Sequence, residues 1–181
     1  MLNSNFLMTF KSATELIWRD RSINPRVYGF QFQPGTRWNP GMSENKIAEF
    51  EDVLGTKFSH DFRALLRTMN GTDLPTLNVY GACGQPSRQG PGVYSYPKDL
   101  EIVRRLAQDV SNNRTELRAT MAEQGFVLQP AAALVPIFAH RYLVCTPNLD
   151  TSVVLSVHNF DDAIVYGQSL REYLEKEFLA A

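Results

Sequence analysis

The chain has 181 residues, of which 44% are hydrophobic and 20% are charged, and its net charge is −1 at pH 7. This composition is typical of a globular protein of one domain, and the near-neutral charge gives no reason to expect a nucleic-acid partner. No apolar run is long enough to span a bilayer, and the first residues lack the basic and apolar regions of a secretory signal. With only two widely spaced cysteines, we expect a cytoplasmic protein with reduced thiols and no membrane association.

The first 37 residues predict one helix and one strand. Apolar residues recur near helical spacing over 6–18, and Asn24-Pro25 ends that helix. The segment 27–32 has the composition of a short strand, and Pro34-Gly35 closes it.

A helical hairpin is predicted between residues 43 and 71. Ser43 and Ser59 each precede an apolar pattern of helical spacing, as N-cap residues do. Gly55 occupies the C-cap position of the first helix. Asn70-Gly71 is expected to end the second, because both residues tolerate left-handed backbone. The apolar faces of these short helices should pack on a sheet.

Residues 74–97 are rich in Gly, Pro and Tyr. We expect strands at 77–80 and 93–96, joined by a long flexible connection over 81–92 of the kind that often has a binding function. Two helices follow, at 98–110 and 113–124, and Gly125 ends the second. The segment 126–128 is expected to return to the sheet.

The segment 134–178 predicts three consecutive strands and a closing helix. The first strand, 135–145, is apolar with His140 and Arg141 at its middle. Turn residues separate it from strands at 153–157 and 163–166. Ser169 and Glu172 then form a capping box at the start of the last helix.

The order of these motifs resembles the SUKH superfamily, which is named for a yeast cell-wall regulator and bacterial immunity proteins. The resemblance runs from about residue 38 to 178, whereas 1–37 and the helices at 98–124 depart from the family pattern. The motifs are Ser43, Glu51, Phe58, Phe62, Leu66 and Met69-Asn70-Gly71, then Pro136-Ile137, His140-Arg141-Tyr142, Val154-Leu155-Ser156, residues 162–167 and the closing helix at 170–178.

The resemblance implies an α+β fold, with a mixed, largely antiparallel sheet packed by helices on one side. It further implies a single domain over 1–181, in which 1–37 is an N-terminal extension packed on a SUKH-like domain at 38–178. Bacterial members of the superfamily often act as immunity proteins that bind and block a toxin, and other members are regulators that bind partner proteins.

The catalytic candidates within 134–178 are polar residues of two motifs. His140, Arg141 and Tyr142 include a possible base and an anion-binding group, but alternate residues of a strand face opposite sides, so a structural role is favoured. Asp161 and Asp162 lie at a turn, where Asp bonds to local backbone, and no set of metal ligands accompanies them.

The remaining motif evidence for an enzyme is weak. Cys83 lies in the Gly-rich connection, and it would need an activating base such as His60 or His158 brought near by the fold. The chain has no phosphate-binding loop, dinucleotide fingerprint or nucleophile elbow. We therefore assign no catalytic residue, no metal and no cofactor from the sequence.

Aromatic residues and one arginine near the connection are the partner-binding candidates. Tyr80, Arg88, Tyr94 and Tyr96 flank turns or end strands, and such residues are enriched where proteins bind proteins. Core packing is an equal alternative for these four residues, and it is the preferred interpretation of Trp38.

Three functions follow from these observations. The first is a cytoplasmic antitoxin that binds a cognate bacterial toxin and occludes its active site. The second is a stand-alone regulatory scaffold that binds a cellular protein partner. The third is a small hydrolase or transferase that uses His140 with Asp162.

Overall fold

The computed structural model describes residues 2–80, 85–148 and 152–179, and it has six α-helices and nine strands in this part of the chain. The helices are α1 (Ser4–Asp20), α2 (Glu44–Leu54), α3 (His60–Thr68), α4 (Leu100–Asn112), α5 (Arg114–Glu123) and α6 (Leu170–Leu174), which continues as a π-helix (Glu175–Leu179). The strands are β1 (Gly29–Phe32), β2 (Trp38–Pro40), β3 (Met69–Thr72), β4 (Thr76–Tyr80), β5 (Gln85–Gln89), β6 (Ala133–Phe138), β7 (Arg141–Cys145), β8 (Val154–Asn159) and β9 (Asp162–Gly167).

The strands form three antiparallel sheets. The largest has the order β6-β7-β8-β9, a second has the order β1-β4-β5, and β2 pairs with β3. The α+β class is confirmed. The one mixed sheet expected from the sequence is divided in three, because β1 pairs with β4 and β2 pairs with β3, and neither pairs with the four-stranded sheet.

The four-stranded sheet is covered on both faces. Alternate residues of β6 and β7 enter two separate cores: Val135 and Leu143 join the first, and Leu134 and Val144 join the second. Helices α1, α2, α3 and α6 pack in the first core, and α5 packs in the second. The expected arrangement of helices on one side differs from the structure in this detail. Val110 of α4 and Leu117 and Met121 of α5 form a second layer, while Val103 of α4 joins the first core.

The region 134–178 has four strands where three were expected. The segment 135–145 is a hairpin and not a single strand, because Ala139, with φ of 48°, turns the chain just before His140. The capping box is confirmed, since Ser169 Oγ accepts a hydrogen bond of 3.1 Å from the N–H of Glu172, and Glu172 accepts one of 3.0 Å from the N–H of Gln168.

The predicted helical hairpin is present as α2 and α3. Ser43 and Ser59 accept hydrogen bonds from Lys46 and Phe62 at the two N-caps, and Gly55 ends α2 in the left-handed region. Helix α3 ends before Asn70-Gly71, which instead lie in β3. Of these two residues, Gly71 has a positive φ, of 70°, and Asn70 does not. The side chain of Asn70 does not cap the helix. It donates to the carbonyl of Tyr96 and accepts from the N–H of Tyr96.

Three predictions for the middle of the chain are wrong. The segment 93–96 is not a strand, since only Val93 pairs there, in an isolated bridge with Phe138. The connection expected over 81–92 includes the strand β5, which pairs with β4, although residues 81–84 lie outside the described part. The segment 126–128 is irregular and forms no strand. It follows Gly125, whose φ of 79° ends α5 as expected.

The first 37 residues complete an aromatic core. Trp18 is fully buried and stacks on Phe32, with 4.6 Å between their ring centroids. Phe178, at the far end of the chain, lies 6.2 Å from Trp18 and 5.4 Å from Trp38. Trp38 is buried as expected, and its Nε1 donates to Thr14. No described helix is both long and apolar enough to cross a membrane.

Candidate functional site

Arg141 lies at the centre of a mostly buried polar cluster. Its Nε donates to Glu177 over 2.8 Å, and its Nη1 donates to Ser156 over 2.7 Å. Its guanidinium carbon lies 3.8 Å from the centroid of the Tyr166 ring. The group thus joins β7, β8, β9 and the π-helix, which favours the structural interpretation of this arginine.

His140 faces a different neighbourhood, in the turn between β6 and β7. Its ring lies 5.6 Å from the ring of His158 and 6.5 Å from that of Phe30. Burial, and then the charges of Arg141 and His158, lower the pKa of His140 from 6.5 to about 4. The imidazole is therefore neutral at pH 7, while the third member of the motif, Tyr142, is buried in the second core.

Asp161 and Asp162 lie at a turn, as the sequence predicts. Asp161 is in the turn between β8 and β9, and Asp162 begins β9, opposite Asn159. Among the described residues, no three His, Cys, Asp or Glu side chains are grouped so as to hold a metal ion. Cys83 lies outside the described residues, and Cys145 is a buried free thiol whose pKa burial raises to about 12.

The two described partner-binding candidates are partly buried. Tyr94 packs against the first core, its hydroxyl donates to the carbonyl of Ala139 over 3.4 Å, and burial raises its pKa to about 12. Tyr96 stacks on Phe50 with 4.8 Å between ring centroids. The side chains of Tyr80 and Arg88 lie outside the described residues.

The exposed pair of Val27 and Tyr28 is not predicted by the sequence. These side chains are 50% and 62% exposed at the turn that leads into β1. The side chain of Gln31 holds this turn, because it accepts from the N–H of Asn24 over 2.9 Å and donates to the carbonyl of Asn24 over 2.8 Å. The Asn24-Pro25 turn signal followed at once by Val27-Tyr28 is the pattern that could have indicated it.

A cleft of about 290 Å³ lies between the end of α2, helix α4 and strand β6. Its aliphatic lining includes Val53, Leu54 and Val135, and two guanidinium groups, of Arg104 and Arg114, lie at its border. None of the described residues that line the cleft is acidic. The cleft therefore combines polar and aliphatic lining with two basic groups. The sequence did not reveal this pattern because the walls of the cleft come from three distant segments.

Comparison of the chain with protein-family models gives no match, and comparison with curated proteins gives none.

Proposed function

We propose that the chain is a protein-binding module of the SUKH type that acts as an immunity protein. It binds a cognate bacterial toxin and blocks it by covering the toxin's active site or substrate groove. The support from the sequence is the order of motifs, from the Ser43-capped helical hairpin to the closing helix at 170–178.

The observation that best supports a binding function is the exposed Val27–Tyr28 turn. A large aromatic side chain that is exposed to water loses few favourable interactions when a partner buries it, and its burial removes apolar area from water. Tyrosine is therefore frequent at interaction hot spots. The hydrogen bonds of Gln31 hold the turn in one conformation. A partner therefore has little loop entropy to overcome on binding.

Occlusion requires a surface larger than this turn. A stable interface buries about 1,600 Å² in total, and its energy is concentrated in a few aromatic or arginine side chains. In this proposal Tyr28 is such an anchor, and β1, an edge strand of the three-stranded sheet, lies beside it. Tyr94 and Tyr96 remain candidates for the border of the interface.

The test is co-expression with a toxin encoded beside the gene, followed by co-purification and measurement of cell survival. We expect the chain to restore growth and to purify with the toxin. Equal survival of cells that lack the chain would reject the immunity function. Capture of a cellular protein in the absence of any neighbouring toxin gene would instead support the regulatory scaffold.

Matched variants locate the surface. Tyr28→Ala and Val27→Ser are expected to weaken toxin binding at least about tenfold, in keeping with a loss of about 1.4 kcal/mol or more. Val127→Ser is the control, because Val127 is 77% exposed in the irregular segment that follows α5. Unchanged affinity in Tyr28→Ala, with thermal stability equal to that of the wild type, would exclude this turn from the interface.

A further inference from the structure

The cleft between α2, α4 and β6 has an uncompensated positive charge. Arg104 and Arg114 border it, and neither forms an ion pair with any described carboxylate. The Nη2 of Arg114 donates to the backbone carbonyls of Gln129 and Ala132, which satisfies hydrogen bonds but does not neutralise the charge.

One hydrogen-bond donor of Arg114 also has no partner in the described part of the chain. Its Nε is buried and has no hydrogen-bond acceptor among the described residues. Burial, and then the charge of Arg118, lower the pKa of Arg114. A buried donor without an acceptor costs free energy, and the cost is higher when the group is charged. An anionic group in the cleft would offset the charge of Arg114 and its repulsion by Arg118.

The wall formed by β6 adds backbone groups to this site. The N–H of Val144 donates to the carbonyl of Val153, so the backbone groups of Val144 point toward β8. Leu134 is opposite Val144 in the antiparallel ladder. In such a pair the backbone groups of both residues point away from each other, so those of Leu134 point outward from the edge strand into the cleft.

The aliphatic walls and the volume restrict the occupant further. Val53 is exposed and Leu54 is half-buried at the end of α2, so this wall of the cleft offers apolar surface next to the charged groups. Val110 and Val135 are buried in the two cores. The volume of about 290 Å³ is near the lower end of the range of about 300–1,000 Å³ for ligand pockets. It suits a short extended segment and not a folded element.

We propose that this cleft binds an extended peptide segment of another protein in which a glutamate or aspartate stands between aliphatic residues. The carboxylate lies between Arg104 and Arg114, the aliphatic side chains contact Val53 and Leu54, and the peptide backbone bonds to the edge of β6 at Leu134. This site is separate from the Val27–Tyr28 turn and does not depend on it.

The experiment uses the full chain labelled with ¹⁵N and blocked peptides of the form Gly-Gly-Φ-Glu-Φ-Gly-Gly, where Φ is Leu, Ile or Val. We expect at least one peptide to bind with a Kd of about 1 mM or tighter, with the largest NMR shifts at the Nε–H of Arg114 and the N–H of Leu134. The same peptides with Gln in place of Glu are expected to bind at least about tenfold more weakly. Affinity for the Glu peptides is expected to fall as salt is raised.

Two variants distinguish the cleft from general charge attraction. Arg104→Gln is expected to weaken binding about tenfold, whereas Arg105→Gln, an exposed neighbour on α4 that does not line the cleft, should leave it unchanged. Arg114 is left intact because it holds the carbonyls of Gln129 and Ala132. Absence of binding by every peptide, equal binding of the Gln peptides, or equal effects of the two variants would overturn the proposal. So would inorganic phosphate that binds with the same affinity as the peptides and moves the same signals, since the site would then hold only a free anion.

Discussion

Arg141 and Glu177 form an ion pair of 2.8 Å that fastens strand β7 to the π-helix at the end of the chain. Their side chains are only 12% and 15% exposed. Loss of one partner would leave the other charge in a poorly solvated position, which costs far more than loss of an exposed pair. The structural importance of the pair can therefore be measured.

Arg141→Gln is expected to lower the free energy of unfolding by about 3 kcal/mol, because the carboxylate of Glu177 is left buried without its cation. Urea unfolding followed by tryptophan fluorescence gives this value. The matched control is Arg171→Gln, which removes the exposed i,i+4 pair with Glu175 and should cost about 0.3–0.5 kcal/mol. Similar costs for both variants would show that burial adds nothing to the Arg141 pair.

Glu51 is expected to make the stability depend on acid pH. Burial opposes its ionisation, but the N–H of Phe58, Arg63 and Lys57 outweigh burial, so the pKa of Glu51 lies below its ordinary 4.5. Between these two pKa values the unfolded state binds more protons than the folded state. The contribution of Glu51 is thus complete above about pH 4.5 and is lost as the pH falls through the folded value.

In Glu51→Gln this part of the pH dependence should disappear, because the amide does not titrate. Urea midpoints measured from neutral to acid pH for the wild type and the variant test the effect. The variant should also be less stable at neutral pH, since Arg63 loses a buried partner. Parallel pH curves below pH 4.5 would contradict the assignment.

His140 should titrate far below an ordinary histidine. Its pKa of about 4, lowered by burial and then by Arg141 and His158, means that the unfolded state binds more protons between about pH 4 and pH 6.5. Stability should therefore decrease as the pH falls through this interval. NMR titration of the His140 ring measures the pKa directly, and His158→Asn should raise it. A midpoint near 6.5 would contradict the packing of this ring.

Gly71 and Gly125 allow backbone strain to be separated from steric overlap. Both have positive φ, but a Cβ on Gly71 would lie 2.5 Å from the carbonyl oxygen of Val93, whereas one on Gly125 meets nothing within 4 Å. Gly125→Ala should cost about 1–2 kcal/mol from strain alone. Gly71→Ala should cost clearly more, because the Val93 backbone must move. Thermal unfolding compares the two, and equal losses would mean that the backbone near Val93 adjusts freely.

The sequence predicted helix caps and left-handed glycines, because these features depend on a few neighbouring residues. The Ser43, Ser59 and Ser169 caps, Gly55 and Gly125 all have the roles expected. The hairpin at Ala139-His140 was not predicted, because its turn has no such local signal. It has no Gly, Pro or Asn at the turn, so the pattern from 135 to 145 resembles one continuous strand.

The candidate sites are formed by residues that are distant in the sequence, so no local pattern predicts them. Arg141 could be recognised as unusual in an apolar segment, but its partner Glu177 comes from the last helix. The cleft joins the end of α2, helix α4 and β6, and its unbalanced charge is visible only when these are packed together. The exposure of Tyr28 likewise depends on where β1 pairs, which is set by its long-range register with β4.

The contact between Trp18 and Phe178, whose ring centroids are 6.2 Å apart, has a consequence for protein synthesis. The aromatic core that surrounds the first helix cannot close until the last helix has left the ribosome. At about 5–20 residues per second, the early segment waits on the order of ten seconds with Phe10, Trp18 and Phe32 uncovered. During that interval the nascent chain is exposed to chaperones and to aggregation, so its yield in cells should depend on translation speed more than that of a protein whose N-terminal half folds alone.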